Sequence, residues 1–164
     1  MNQEFIKEQL HKWMTDFVEV PNIELGDWPP CPYARQARVN NKISIKFSSI
    51  PELNDIIRES IETLTNKEVV IICFDHTLID PVLLQEFVES TNNFLMPLNY
   101  VVLEDHPHTP EYINGVKMNF GHCGLLILQK LDKLTIASNQ LKEKGYYDVW
   151  SKNDLDSVVS WRTK

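Results

Sequence analysis

The chain has 164 residues, 43% of them hydrophobic, enough to bury a layered core without disulfides or a structural metal. Its formal net charge of −7 argues against a general nucleic-acid surface, because phosphate backbones are held by clustered cations that release counterions. The three cysteines (Cys31, Cys73, Cys123) make no disulfide framework, and the charges scattered through MNQEFIKEQLHKWMTDFVEV do not suit a signal peptide. A cytoplasmic protein that engages neither membrane nor nucleic acid is expected.

Phe5, Ile6, Leu10, Trp13, Phe17 and Val18 recur at three- and four-residue steps and predict an amphipathic first helix. PNIELGDWPPCPYARQAR, with Pro21, Gly26, Pro29, Pro30 and Pro32, predicts a long loop, and alternation over Val39–Phe47 predicts a strand. Ser49 and Glu52 have the spacing of a capping box ahead of a helix carrying Leu53, Ile56, Ile57, Ile61 and Leu64 on one face. VVIICF is apolar throughout, as suits a strand covered on both sides. Asp80-Pro81 starts a helix that runs to about Leu95, because a carboxylate satisfies orphan N–H groups where proline has none to lose. Strands from Tyr100 and over Leu125–Leu128 follow, then a helix that Gly145 terminates and a short helix near the C-terminus. The expectation is one α/β domain over 1–164, in the order αβαβαββα. Its three- to four-stranded sheet is mainly parallel and flanked by helices, with the last strand antiparallel because no helix precedes it.

Chemistry concentrates in LEDHPHTPEYINGVKMNFGHCG, which holds three of the five histidines. In a parallel sheet, ligands collect beyond the carboxyl ends of strands, where Asp75 and His76 end one strand and Glu104, Asp105, His106 and His108 another. An antiparallel last strand returns His122 and Cys123 to the same edge. His106 and His108, one residue apart in extended chain, project to one side and suit a mononuclear metal, iron, manganese or zinc. Asp75, Glu104 or Asp105 completes a two-histidine, one-carboxylate set; His122 or Cys123 favours zinc. A metal-free histidine–carboxylate acid/base pair uses the same residues, and a turn at Pro107 with exposed histidines is the bland alternative. Near Cys31, Arg35 and Arg38 are cations that would lower a thiol pKa, and with Tyr33 they form a candidate substrate grip; a buried apolar cysteine is the competing reading.

CPYAR at Cys31–Arg35 followed by HPH at His106–His108 resembles an uncharacterised bacterial protein family with a Cys-Pro-Phe-Ala-Lys motif and a downstream His-Pro-His. The likeness runs from the first helix to the fourth strand. Where the family pattern carries a longer segment with Asn, Tyr and Arg, this chain has Asn119–Gly124. The resemblance implies that Cys31, Pro32, Ala34, His106 and His108 matter, without implying a reaction.

The leading expectation is an enzyme acting on a small anionic metabolite through His106, His108, Cys31 and Asp75, with Arg35, Arg38 and Tyr33 orienting the substrate. The alternative is a non-catalytic adaptor that docks through the proline- and tryptophan-rich loop 21–37.

Overall fold

The computed structural model describes residues 1–163. Helix α1 (Gln3–Trp13) begins where the Asn2 side chain accepts from Phe5 N–H at 3.1 Å, and it widens into a π turn over Met14–Val18. CPYAR then departs from the expected loop. Ala34–Val39 forms a short helix, α2, because Ala, Gln and Arg favour that state once the prolines end. Asn41, at φ 54, turns the chain out of α2, so the first strand starts at Ile43 rather than Val39.

Strand β1 (Ile43–Phe47) leads through a 3-10 turn to α3 (Leu53–Thr63), β2 (Val69–Phe74) and α4 (Pro81–Leu95). Asp80 Oδ1 accepts from Val82 N–H at 2.8 Å and Pro81 opens α4, as its sequence requires. Ser49 behaves otherwise, bonding the Glu52 carboxylate at 2.8 Å and no backbone donor. After β3 (Tyr100–Asp105), the short strands β4 (Tyr112–Ile113) and β5 (Val116–Lys117) form a hairpin. Its turn has Asn114 and Gly115 both at positive φ (46° and 81°), and Asn-Gly is the pair that tolerates this; the sequence reading leaves this hairpin unassigned. Strand β6 (Gly124–Lys130) precedes α5 (Leu131–Glu143), whose end has Gly145 at φ 84°, and α6 (Lys152–Val158) follows.

The sheet order is β1-β2-β6-β3. Among the described residues only β1 and β2 pair in parallel; β6 lies antiparallel between β2 and β3. The sheet is therefore mixed, not mainly parallel. The crossover through α4 skips one position, and β6 returns through it with apolar side chains on both faces.

Alternation along β2 divides the core. Val70, Ile72 and Phe74 meet α3 and α4 through Leu53, Ile57, Leu84 and Val88, while Ile71 and Cys73 meet α1 and the π turn after it through Ile6, Leu10 and Met14. β3 lies at the sheet's edge, where the buried Asn92 amide of α4 donates to Val102 O and accepts from Val102 N–H, both at 2.8 Å. This side chain occupies strand groups that another chain could otherwise pair with. No helix among the described residues is long and apolar enough to cross a membrane.

Candidate functional site

β2 and β3 both run antiparallel to β6, so their carboxyl ends lie at one edge of the sheet. Asp75, just after β2, caps a 3-10 turn at His76–Leu78, accepting from Thr77 N–H at 3.0 Å and the Thr77 hydroxyl at 2.7 Å. Those bonds hold its carboxyl below the usual range.

His106 follows β3 and is only 3% exposed. Its Nδ1 accepts from His108 N–H at 3.1 Å, which places the proton on Nε2. That Nε2–H faces the carbonyls of His76 at 3.2 Å and Ile79 at 3.1 Å. The ring thus ties the turn after β2 to the turn after β3. Against it sit two more imidazoles: ring centroids are 5.6 Å apart for His76 and His106, 5.4 Å for His106 and His108, and 5.0 Å for His76 and His108. Burial, then the neighbouring His108 and His106, push the His76 pKa down. His76 and His108 line a cleft of about 430 Å³ with Thr77, Leu78, Ile79 and Asp80.

The other expected metal donors are held elsewhere. Asp105 accepts from Asn119 Nδ2 at 2.6 Å and from Phe120 N–H at 2.8 Å, bonds that pin the segment before β6. Burial nevertheless raises its pKa. His122 is exposed and packs against Phe5 and Phe120. Cys123 is buried beside Cys73, and that contact with burial pushes its thiol far above the ordinary value. Because both His106 nitrogens already have protein partners, the residues present do not fit the anticipated two-histidine, one-carboxylate centre. No group of three His, Cys, Asp or Glu among the described residues is placed to hold a metal ion.

Glu104 alternates to the face opposite Asp105. Its Oε2 is buried without a hydrogen-bond partner, and burial, with Glu89 and Glu111 nearby, pushes its pKa from 4.5 up to about 7. A carboxyl with a folded pKa above its unfolded one stabilises the protein at low pH. That contribution is lost as pH rises from about 4.5 to 7. The full shift corresponds to about 3 kcal/mol, which solvent screening at this half-buried position reduces to about 1–2 kcal/mol. Glu104→Gln should therefore be more stable than the parent at pH 8 and lose that advantage at pH 4, read from urea midpoints. His76, with its lowered pKa, contributes the opposite slope below 6.5, so the comparison is between parent and variant at each pH.

The loop residues do not join this cleft. Cys31 N–H donates to Val18 O at 3.0 Å, and although the residue is exposed, burial pushes its thiol pKa up against backbone hydrogen bonds of Tyr33 and Ala34. Its charged neighbour is Glu19, not a cation, which reverses the expected activation. Arg38 forms a two-point ion pair with that same Glu19, at 2.6 and 2.9 Å. Tyr33 donates to Gln140 Oε1 on α5 at 3.2 Å, and Arg35 is exposed, with no ion pair among the described residues. Trp28 packs edge-on to Tyr146, whose hydroxyl donates to Pro30 O at 2.5 Å, so much of the loop's aromatic surface is turned inward.

Asp75-His76 at the end of an apolar strand is the signal for the cleft, but the sequence reading places catalysis on His106 and His108 and leaves His76 in a supporting role. Adjacency in sequence cannot show which of three clustered imidazoles is buried. The chain matches no protein-family model, and neither the curated proteins nor the solved structures compared with it provide a match.

Proposed function

We propose that the protein is an enzyme that moves protons on a small polar substrate held over the carboxyl ends of β2 and β3. The observation that carries this is the contact between His76 and His108 at the wall of the cleft, with His106 fixed behind them. The lowered pKa of His76 keeps it unprotonated at neutral pH and available as a base. His108, exposed beside it, can take up or return the proton. His106 is a positioning residue: its bonds to the carbonyls of His76 and Ile79 fix the backbone that presents His76.

A melting screen of small polar metabolites tests this. At least one compound that raises the melting temperature of the parent should have no effect on His76→Ala and His108→Ala and should still stabilise His122→Ala and Cys31→Ser. Turnover of such a compound should fall as pH drops through the depressed His76 pKa, below 6.5. A panel in which every stabilising compound raises the melting temperature of both cleft variants as much as that of the parent would refute the assignment.

A further inference from the structure

Away from this cleft, α5 and the C-terminal helical segment enclose a cavity of about 200 Å³. Arg162, in the 3-10 turn Ser160–Thr163, lines it and is 8% exposed. Its Nη2 donates to Ser138 Oγ at 3.2 Å and its Nε to Val159 O at 3.3 Å. Both partners are neutral. Among the described residues the ion pairs are Lys7–Glu4 and Arg38–Glu19, and none of these residues gives the buried Arg162 guanidinium a carboxylate. Lys142 lines the same cavity, with Thr135, Asn139 and Ser160, and no Asp or Glu does.

That composition is unexpected in a chain with 23 acidic residues and 16 lysines and arginines. Burying an unpaired charge costs several kcal/mol, so buried cations are ordinarily paired. Burial also pulls the Arg162 pKa down, and among the described residues the charge influence opposing it comes from Tyr147. A guanidinium presents several fixed N–H donors in a plane that matches phosphate, and lysine adds a point charge. Hydroxyl and amide side chains around them can hydrogen-bond the remaining oxygens. The volume, several times the roughly 30 Å³ share of a water molecule, admits a tetrahedral oxyanion with a short carbon substituent.

We infer that this cavity is a second ligand site, which binds phosphate, free or carried by a small phosphomonoester, against Arg162 and Lys142. It shares no lining residue with the His76–His108 cleft and does not depend on the reading given to that cleft.

Calorimetry and thermal melts with inorganic phosphate and with glycerol 3-phosphate, at ionic strength held constant with chloride, test the inference. Either ligand should bind saturably at millimolar concentrations or below. At about 100 times its dissociation constant it should raise the melting temperature by roughly 5 °C or more. Binding of both ligands marks a site for the free ion, and binding of glycerol 3-phosphate alone marks a metabolite site. Arg162→Met should abolish the effect, and Lys142→Gln, at an exposed position that tolerates substitution, should weaken binding at least tenfold. If Arg162→Met fails to fold, Lys142→Gln decides. A shift that grows without saturating, as general salting-out does, would overturn the inference. So would equal affinity in parent and Lys142→Gln, or the absence of any response to both ligands.

Discussion

Gly124→Ala should destabilise the protein by about 3 kcal/mol and lower its melting temperature by roughly 6–12 °C. A Cβ on Gly124 would lie 2.3 Å from two ring carbons of Phe74, far inside contact distance. Phe74 cannot easily yield: it is fully buried, it pairs with Gly124 across β2 and β6, and it packs among Leu53, Leu84 and Leu126. An isolated strand would gain slightly from the same change, since alanine has less backbone freedom to lose than glycine. The sign therefore reports the close approach of ring to backbone. Adding Phe74→Leu should recover part of the loss by removing the clashing carbons, although Phe74→Leu alone leaves a cavity and destabilises. Chemical denaturation of the two single variants and the double variant gives the coupling. A loss below 1 kcal/mol for Gly124→Ala would mean that the ring and strand separate more easily than this packing implies.

His106→Ala should cost about 3 kcal/mol, and His108→Ala under 1 kcal/mol. The first removes a buried ring, leaves the carbonyls of His76 and Ile79 without their donor, and deprives His108 N–H of its acceptor. The second removes an exposed side chain at a turn whose backbone bonds survive. Amide exchange should locate the damage, with His108 N–H losing protection in His106→Ala alone. The stability gap should be the same with and without a chelator, since the bonds lost are internal to the protein. Equal effects of the two substitutions would show that His106 does not hold the two turns together, and a gap that closes on chelation would restore it to the role of metal ligand.

Much of the local structure can be read directly from residue order. The Asp80-Pro81 start of α4, the glycine end of α5, the buried character of VVIICF and the antiparallel direction of the strand after HCG all follow from local rules. Caps, alternation and connection length act over a few residues, and at these positions the tertiary structure does not override them, as it does at Ser49 and at Val39. The helix at Ala34–Val39 is masked in the sequence because the prolines before it dominate its neighbourhood, while its own residues are ordinary helix formers. The Asn114-Gly115 hairpin was legible but is only two residues deep on each side.

Local order could not decide which strand fills the gap between β2 and β3, because either edge of the sheet would accept β6 without changing its sequence pattern. Packing between α1 on one face and α3 with α4 on the other selects the central slot, where both faces of β6 are covered. The same holds for the site. His-x-His places two imidazoles near one another, but only the fold turns His106 inward to the carbonyls of His76 and Ile79 and brings His76 beside His108. It also gives Arg38 to Glu19 and leaves Arg162 buried without a carboxylate among the described residues. The sequence by itself determined which residues carry donors and charges, and in which segments. The tertiary structure decided which of them have their hydrogen bonds and charges satisfied within the protein and which are left to meet a ligand, because that depends on neighbours tens of residues apart in the chain.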